Sequence, residues 1–336
     1  MIVSMKRGAS KEQLDRVKQI IGKHKLKVHS MRGKERVVIG VVGTGPGAVH
    51  CHEALEATEG VESVVKISAP YKFVSLETRK QPTRIKVGPA IIGGNGFTLM
   101  AGPCSIESRK QLDAVAAVVA ACGGKVLRGG AFKPRTSPYE FQGMGEKGLE
   151  LLAKAGQKYG LATVTEVMDP RQVFLVADYV DLLQVGARNM QNFNLLKELG
   201  KCKKPVLLKR GISATIKEWL MSAEYLFSEG NRKVVLCERG IRSYDTATRN
   251  VFDIAAAPVL RTLTHLPVIL DPSHAAGRRD IVPALCFAAA AVGSDGLIVE
   301  VHPKPDEAMS DGAQSLTFQQ FRSMAKRLEK FASAMV

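Results

Sequence analysis

Gly123 to Tyr139, GGKVLRGGAFKPRTSPY, packs the cations Arg128, Lys133 and Arg135 in front of the hydroxyls of Thr136 and Ser137. Glycines and a proline stand between the charges where helix formers could be, and a short apolar run, Val126-Leu127, precedes them. The charges are therefore presented from backbone at the end of a strand, where glycine permits close approach to a ligand. Guanidinium forks bind phosphate and carboxylate in bidentate fashion, so this spacing suits one or two such groups. Taken alone, the segment also reads as a solvated basic loop.

The surrounding chain has to decide between these readings. From residue 97 onward it alternates strictly between apolar runs and helical segments. The strands are expected at Phe97–Ala101, Lys125–Gly129, Ala162–Val167, Asp181–Val185, Pro205–Lys209, Val234–Glu238, Pro267–Asp271 and Gly296–Val301. The helices fall near 108–121, 146–159, 170–178, 191–199, 214–228, 248–264, 279–291 and 317–332. In the last, Thr317 and Gln320 form a capping pair, with Phe318, Phe321, Leu328 and Phe331 along one stripe. Eight such units in about 240 residues predict an α/β (β/α)8 TIM barrel over 97–336, a doubly wound sheet being the alternative.

A barrel keeps its chemistry at the C-terminal ends of its strands. Those ends carry Cys104, Arg128, Glu166, Arg188, Lys209-Arg210, Glu238-Arg239, Asp271 with His274, and Glu300 with His302. Arg128, Lys133, Arg135, Arg188, Lys209 and Arg239 form a cationic ring that calls for anions to neutralise it. Cys104, His274, Glu300 and Asp311 could meet around one borderline divalent ion such as Mn²⁺, Fe²⁺, Co²⁺ or Zn²⁺. Singly, each has an ordinary packing or loop explanation; their arrival at one rim is what favours a site. By strand parity His302 supports Glu300 rather than serving as a ligand.

Residues 1–70 read as a small α+β, ferredoxin-like unit of pattern βαββαβ. Its strands are expected at Ile2–Met5, Leu26–Met31, Arg36–Val42 and Glu62–Ala69. Ser10 and Gln13 form a capping box before a helix with Leu14, Val17 and Ile20-Ile21 on one face, and Pro46 opens a second helix to about Thr58. Gly43-Thr44-Gly45-Pro46-Gly47 is spaced G-x-G-x-G rather than as a dinucleotide fingerprint, so it is read as a tight turn. Residues 71–96 form a linker with a barrel-capping hairpin, Ile85–Val87 and Ala90–Ile92.

Composition narrows the function class. The chain has 336 residues, 45% of them hydrophobic and 24% charged, as in a soluble globular protein. No apolar run approaches the roughly 20 residues of a membrane span, and the first residues lack a signal-peptide core, so a cytoplasmic protein is expected. Six cysteines without paired spacing fit free thiols in a reducing compartment. A net charge of +16 admits nucleic acid or anionic small molecules. The absence of long Lys/Arg runs, zinc-finger spacing or an RNP-like motif, with 6% aromatics, sets nucleic acid aside.

The rim motifs together resemble a known family, the 3-deoxy-D-arabino-heptulosonate 7-phosphate (DAHP) synthases of the shikimate pathway. They are AGPCSIES (101–108), LRGGAFKPRTSP (127–138), TEVMD (165–169), QVGARNMQN (184–192), LLKRG (207–211), CERGIR (237–242), LDPSHAAGRRD (270–280) and VEVHPKPDEAMSDGAQSL (299–316). The first unit resembles the ferredoxin-like extension of type I-beta members, which implies feedback sensing of aromatic amino acids and a homotetramer. The resemblance implies metal-dependent condensation of phosphoenolpyruvate with erythrose 4-phosphate. Cys104, His274, Glu300 and Asp311 would hold the metal, Mn²⁺ first. Arg128, Lys133, Arg188, Lys209 and Arg239 would bind phosphoenolpyruvate; Pro134, Arg135, Thr136 and Ser137 would hold erythrose 4-phosphate, with His274 touching substrate. Lys133, Cys104, His274 and Glu166 would be the catalytic group, Glu166 positioning water. His29 and Ser30 are the candidate effector contacts. The alternatives are KDO 8-phosphate synthase, which uses arabinose 5-phosphate and in which Asn-Arg-Ser-Ser replaces Pro134-Arg135-Thr136-Ser137, and a non-catalytic anion-binding barrel.

Overall fold

The structure is a computed structural model that describes the chain except for residues 33–36, 44–45, 66–69, 95, 134–136, 138 and 335–336, and the side chains of 29–32 and 332–334. The chain folds as two units, Met1–Pro70 and Tyr71–Val336.

In the first unit, β1 (Ile2–Met5), α1 (Lys11–Lys23), β2 (Lys27–Arg32), β3 (Val37–Val42), α2 (Pro46–Glu56) and β4 (Val61–Val65) follow one another. The sheet order is β2-β3-β1-β4, and the pairing is antiparallel throughout. The capping box forms: Gln13 N–H donates to Ser10 Oγ (3.2 Å) and Ser10 N–H to Gln13 Oε1 (3.0 Å). Val3, Met5, Val17, Ile21, Ile39, Val41, Cys51 and Leu55 make the core. Gly43 has φ +145°, and a Cβ there would lie 2.4 Å from Leu26 Cδ2, so it is glycine for turn and packing reasons; Thr44 and Gly45 lie outside the described residues. Residues 66–69 of the expected fourth strand do so too. His29 and Ser30 pair with Gly40 and Ile39 in the β2–β3 ladder; their side chains are not described.

The second unit opens with a strap that is anchored rather than loose. Glu224 accepts the N–H groups of Lys72 and Phe73 (2.9 Å each) and Val74 (3.1 Å) with one carboxylate. Then come a hairpin, β5 (Ile85–Val87) and β6 (Ala90–Ile92), and the strands β7 (Thr98–Gly102), β8 (Val126–Arg128), β9 (Ala162–Glu166), β10 (Leu182–Val185), β11 (Val206–Lys209), β12 (Val234–Glu238), β13 (Val268–Leu270) and β14 (Gly296–Glu300). These last eight close a barrel in sequence order, and each pair is parallel. The helices are α3 (Arg109–Ala121), α4 (Glu146–Tyr159), α5 (Val173–Tyr179), α6 (Phe193–Lys201), α7 (Ile216–Ser228), α8 (Ala256–Leu263), α9 (Pro272–Ala276), α10 (Val282–Ala291) and α11 (Phe318–Ala334). The (β/α)8 expectation holds and the doubly wound alternative falls.

Alternate residues of a strand face opposite sides of its sheet. Met100, Val126, Ala162, Val164, Leu182, Leu207, Val235, Cys237, Ile269 and Ile298 face inward and pack into one cluster with Ile85, Val87, Ala90 and Ile92 of the hairpin. The N-terminal end of the barrel is thus filled with hydrocarbon and its walls are fixed, which is what a precise site at the other end requires.

Two helix expectations are corrected. The helix expected at 248–264 begins only at Ala256. Residues 249–251 donate to the carbonyls of Ala276 (3.0 Å), Ala275 (2.9 Å) and Ile241 (2.9 Å), and Val251 forms an antiparallel bridge with Ile241, an extended pairing that a helix running through it cannot contain. Conversely, α9 lies ahead of the helix expected at 279–291. Asp271 caps it, Oδ1 accepting the His274 N–H at 3.0 Å, and Pro272 occupies its first turn.

Candidate active site

Following the inward parity one step beyond the apolar layer gives Gly102, Arg128, Glu166, Gln184, Lys209, Arg239, Asp271 and Glu300. Parity also corrects the reading that each charged pair feeds one face. Arg210 points away from Lys209, donating to Asp253 Oδ2 at 2.7 Å and to the Ala214 carbonyl at 2.9 Å. Glu238 likewise points away from Arg239: its Oε1 accepts the Gly240 N–H at 2.7 Å while Oε2 has no partner. Burial pushes the Glu238 carboxyl up to about 8.

One oxygen or sulfur from each of Cys104, Glu300 and Asp311 lies within 4.8 Å of the others. Cys104 Sγ is 3.1 Å from Asp311 Oδ2 and 2.9 Å from Lys133 Nζ. The expected fourth member, His274, stands outside that mutual set and joins it through Glu300, whose Oε1 is 3.5 Å from Nε2. Burial pushes the Cys104 thiol up to about 12, and the Glu300 charge adds to this. Asp311 is held far below the usual carboxylate range: burial opposes this, but His274, the Cys104 hydrogen bond, Arg249 and Lys133 prevail. Its backbone is left-handed at φ +49°, uncommon for a residue other than glycine. A buried thiol, two carboxylates and an adjoining imidazole fit a borderline divalent cation. Behind them His302 Nε2 meets Glu107 Oε2 at 3.2 Å, and Glu107 Oε1 accepts the Met309 N–H at 2.9 Å, clasping the loop that carries Asp311.

Beside this cluster a cavity of about 360 Å³ is lined by Arg128, Lys133, Arg188, Lys209, Arg239, Arg242 and Arg249, with Glu166, Gln184 and His274. The expectation that anions must neutralise the whole ring needs correcting, because protein acids already neutralise part of it. Arg128 pairs with Glu300, and Lys209 Nζ is 2.5 Å from Asp271 Oδ2. Arg188 and Arg239 are different. Arg188 has no hydrogen bond or ion pair among the described residues. Arg239 is 5% exposed with Nη1 lacking a partner, and burial lowers its pKa. Arg188 is exposed, but the buried Arg239 donor without an acceptor is costly, and an anion at this corner would satisfy it.

Asp271, placed at the rim by the sequence but given no role there, has its Oδ2 against Lys209 and 2.8 Å from His274 Nδ1. Strand parity from Ile269 would have aimed it inward. Arg249 was hidden inside an expected helix, and Arg242 lay unremarked in CERGIR. Pro134, Arg135 and Thr136 lie outside the described residues. Ser137 is in the rim loop, its Oγ accepting the Tyr139 N–H at 3.3 Å. Glu166 faces the cavity with Gln184 Nε2 at 3.4 Å from its Oε2.

The sequence matches the DAHP synthetase I family over residues 72–336. The chain belongs to that family. The DAHP synthase ferredoxin-like domain matches residues 1–69, so the member carries this extension. Phospho-2-dehydro-3-deoxyheptonate aldolase of Thermotoga maritima is 50% identical over 335 residues, spanning 100% of this chain and 98% of that one. The crystal structure of the Thermotoga maritima DAHP synthase superposes with a TM-score of 0.93 at 49% identity, covering 99% of this chain and 97% of that one. A 2-dehydro-3-deoxyphosphooctonate aldolase of Francisella tularensis subsp. holarctica is 36% identical over 262 residues, 70% of this chain and 93% of that one. Among the described residues, no helix is long and apolar enough to cross a membrane.

Proposed function

We infer how this DAHP synthase divides its reaction among its side chains. The chain is a transferase that condenses phosphoenolpyruvate with D-erythrose 4-phosphate and water, giving DAHP and phosphate, the entry to the shikimate pathway. The observation that carries the site reading is the meeting of the Cys104–Glu300–Asp311 cluster with the unpaired donors of Arg188 and Arg239 on one cavity.

Arg188 and Arg239, whose donors are open, take the phosphate of phosphoenolpyruvate; Arg128, Lys133 and Lys209 hold its carboxylate and bridging oxygens. Pro134, Arg135, Thr136 and Ser137 cradle erythrose 4-phosphate, presenting its aldehyde to C3 of phosphoenolpyruvate. Cys104, His274, Glu300 and Asp311 would hold a divalent cation (Mn²⁺ first, with Fe²⁺, Co²⁺ and Zn²⁺ as alternatives), which when bound supplies a Lewis acid for that aldehyde. Asp271 holds Lys209 through Oδ2 and the His274 backbone N–H through Oδ1, so donor binding and placement of the histidine share one buried carboxylate. C3 attacks the aldehyde, water oriented by Glu166 adds at C2, and phosphate leaves as the C2–O bond breaks. The fixed cations stabilise charge as it moves between these oxygens.

Loss of phosphoenolpyruvate absorbance with each acceptor sugar, before and after EDTA and with Mn²⁺ restored, tests the reading. Turnover with erythrose 4-phosphate alone, lost to EDTA and recovered, is expected. Turnover with arabinose 5-phosphate would move the protein to the KDO 8-phosphate branch, where the 36% identical relatives lie.

For the first unit, the ferredoxin-like match supports a regulatory role; the proposal is that it senses an aromatic amino acid, with His29 and Ser30 as candidate contacts, in a cytoplasmic homotetramer. Activity unchanged by excess tyrosine and phenylalanine would remove the sensing role, and sedimentation tests the assembly.

A further inference from the structure

Arg249, in the rim loop between β12 and α8, faces two ways. Nη1 donates to Asp311 Oδ1 at 3.2 Å and to Gln314 Oε1 at 2.9 Å. Gln314 in turn donates from Nε2 to Glu300 Oε2 at 2.8 Å. Its neighbour Asn250 donates from Nδ2 to the His274 carbonyl at 2.8 Å, and the two backbone N–H groups go to Ala276 and Ala275 of α9. One dipeptide therefore holds segments bearing His274, Glu300 and Asp311. Gly277 makes room for it: a Cβ there would sit 2.4 Å from Arg249 Cβ. The other side of Arg249 is open. Both residues line the cavity, and Nε and Nη2 make no hydrogen bond among the described residues.

We propose that Arg249 is a positioning residue that couples the acceptor sugar phosphate to the carboxylate ligands, its Nη1 holding Asp311 and Gln314 while Nε and Nη2 meet oxygens of the acceptor. The proposal rests on the metal-site reading above. With Arg249 40% and Asp311 27% exposed, their ion pair contributes little as a charge pair. Its value is geometric, because Asp311 sits in left-handed backbone that its surroundings must hold. Acceptor oxygens drawn to Nε and Nη2 pull on the same planar group that sets Asp311, so each binding event prepares the other.

The test titrates Mn²⁺ calorimetrically into the full-length apo chain as wild type, Arg249→Ala, Arg249→Lys and Cys104→Ser, and measures KM for both substrates. Arg249→Ala is expected to bind Mn²⁺ about tenfold more weakly, the lower end for loss of an outer partner. Arg249→Lys should recover most of that loss, since one ammonium can serve both Asp311 and Gln314, yet leave KM for erythrose 4-phosphate raised and that for phosphoenolpyruvate unchanged. Wild-type Mn²⁺ binding by Arg249→Ala, with Cys104→Ser weakened, would overturn the coupling and leave the metal site standing. Wild-type binding by Cys104→Ser would overturn the site reading and the coupling with it. Equal losses in Ala and Lys, with equally lowered melting temperatures, would reduce Arg249 to a structural contact and overturn the proposal.

Discussion

The two ends of the barrel interior are made by the same strands in the same alternation, and they do opposite things. At the N-terminal end Val126, Ala162, Leu182 and Val235 meet the hairpin's Ile85, Val87, Ala90 and Ile92 in a dry, filled layer. Two residues along, about 7 Å at the usual rise per residue, Val126 gives way to Arg128 and Leu182 to Gln184; four residues along, Ala162 gives way to Glu166 and Val235 to Arg239. The lower layer is satisfied by its own packing; the upper one contains Arg239 with a buried donor that nothing among the described residues accepts. Stability is concentrated at one end, and the proposed site at the other keeps a group unsatisfied.

The strongest way to break this comparison is Arg239→Met. It should lower kcat/KM by about 10³-fold, roughly 4 kcal/mol of lost transition-state stabilisation. Because an unpaired buried cation is removed, the melting temperature should hold or rise. A clear fall in melting temperature would mean that Arg239 stabilises the fold and that the contrast is wrong.

Leu207→Ala, in the filled layer, should do the reverse. Urea unfolding should register a loss of about 3 kcal/mol, the usual cost of such a cavity, while KM for both substrates stays at the wild-type value. A changed KM would show that the layers are not independent.

Glu238 sharpens the contrast between the inside and outside of the rim. Its carboxyl is raised to about 8 in the fold, against about 4.3 in an unfolded chain. The folded state therefore holds a proton that the unfolded state has lost, and the contribution to stability, complete below pH 4.3, declines as pH rises through 8. Between pH 6 and 8 this amounts to about 2–3 kcal/mol. Glu238→Gln should flatten the fall in melting temperature over that range, with little effect on KM for phosphoenolpyruvate. An unaltered pH profile would place the proton elsewhere.

The smallest effect concerns Cys104. With its thiol pushed up to about 12, metal binding has to release its proton, so apparent Mn²⁺ affinity should rise up to tenfold per pH unit, about 1.4 kcal/mol. Cys104→Ser should bind more weakly with a shallower slope, and a slope equal to wild type would remove the thiol from the set.

Much of this was legible before folding because the signals are local. Ser10 with Gln13 and Thr317 with Gln320 announce helix starts, and both pairs form the reciprocal hydrogen bonds expected of them. Short runs of Val, Leu and Ile between helical segments gave eight strands, with ends misplaced by no more than about two residues. Residues 248–255 were misread because Arg249 and Asn250 pair with Ala276 and Ala275 and Val251 bridges Ile241, long-range partners that no local window contains.

The amino-acid order by itself determined the barrel and, through the period of two along each strand, which charges could face its interior: Lys209 rather than Arg210, Arg239 rather than Glu238. What it could not determine is which of those charges are already paired. Arg128 finds Glu300 across 172 positions of sequence and Lys209 finds Asp271 across 62, whereas Arg239 keeps a donor free. Pairing depends on distances set by barrel closure, and only the closed structure separates the cations already paired with protein acids from Arg239, whose Nη1 has no acceptor among the described residues.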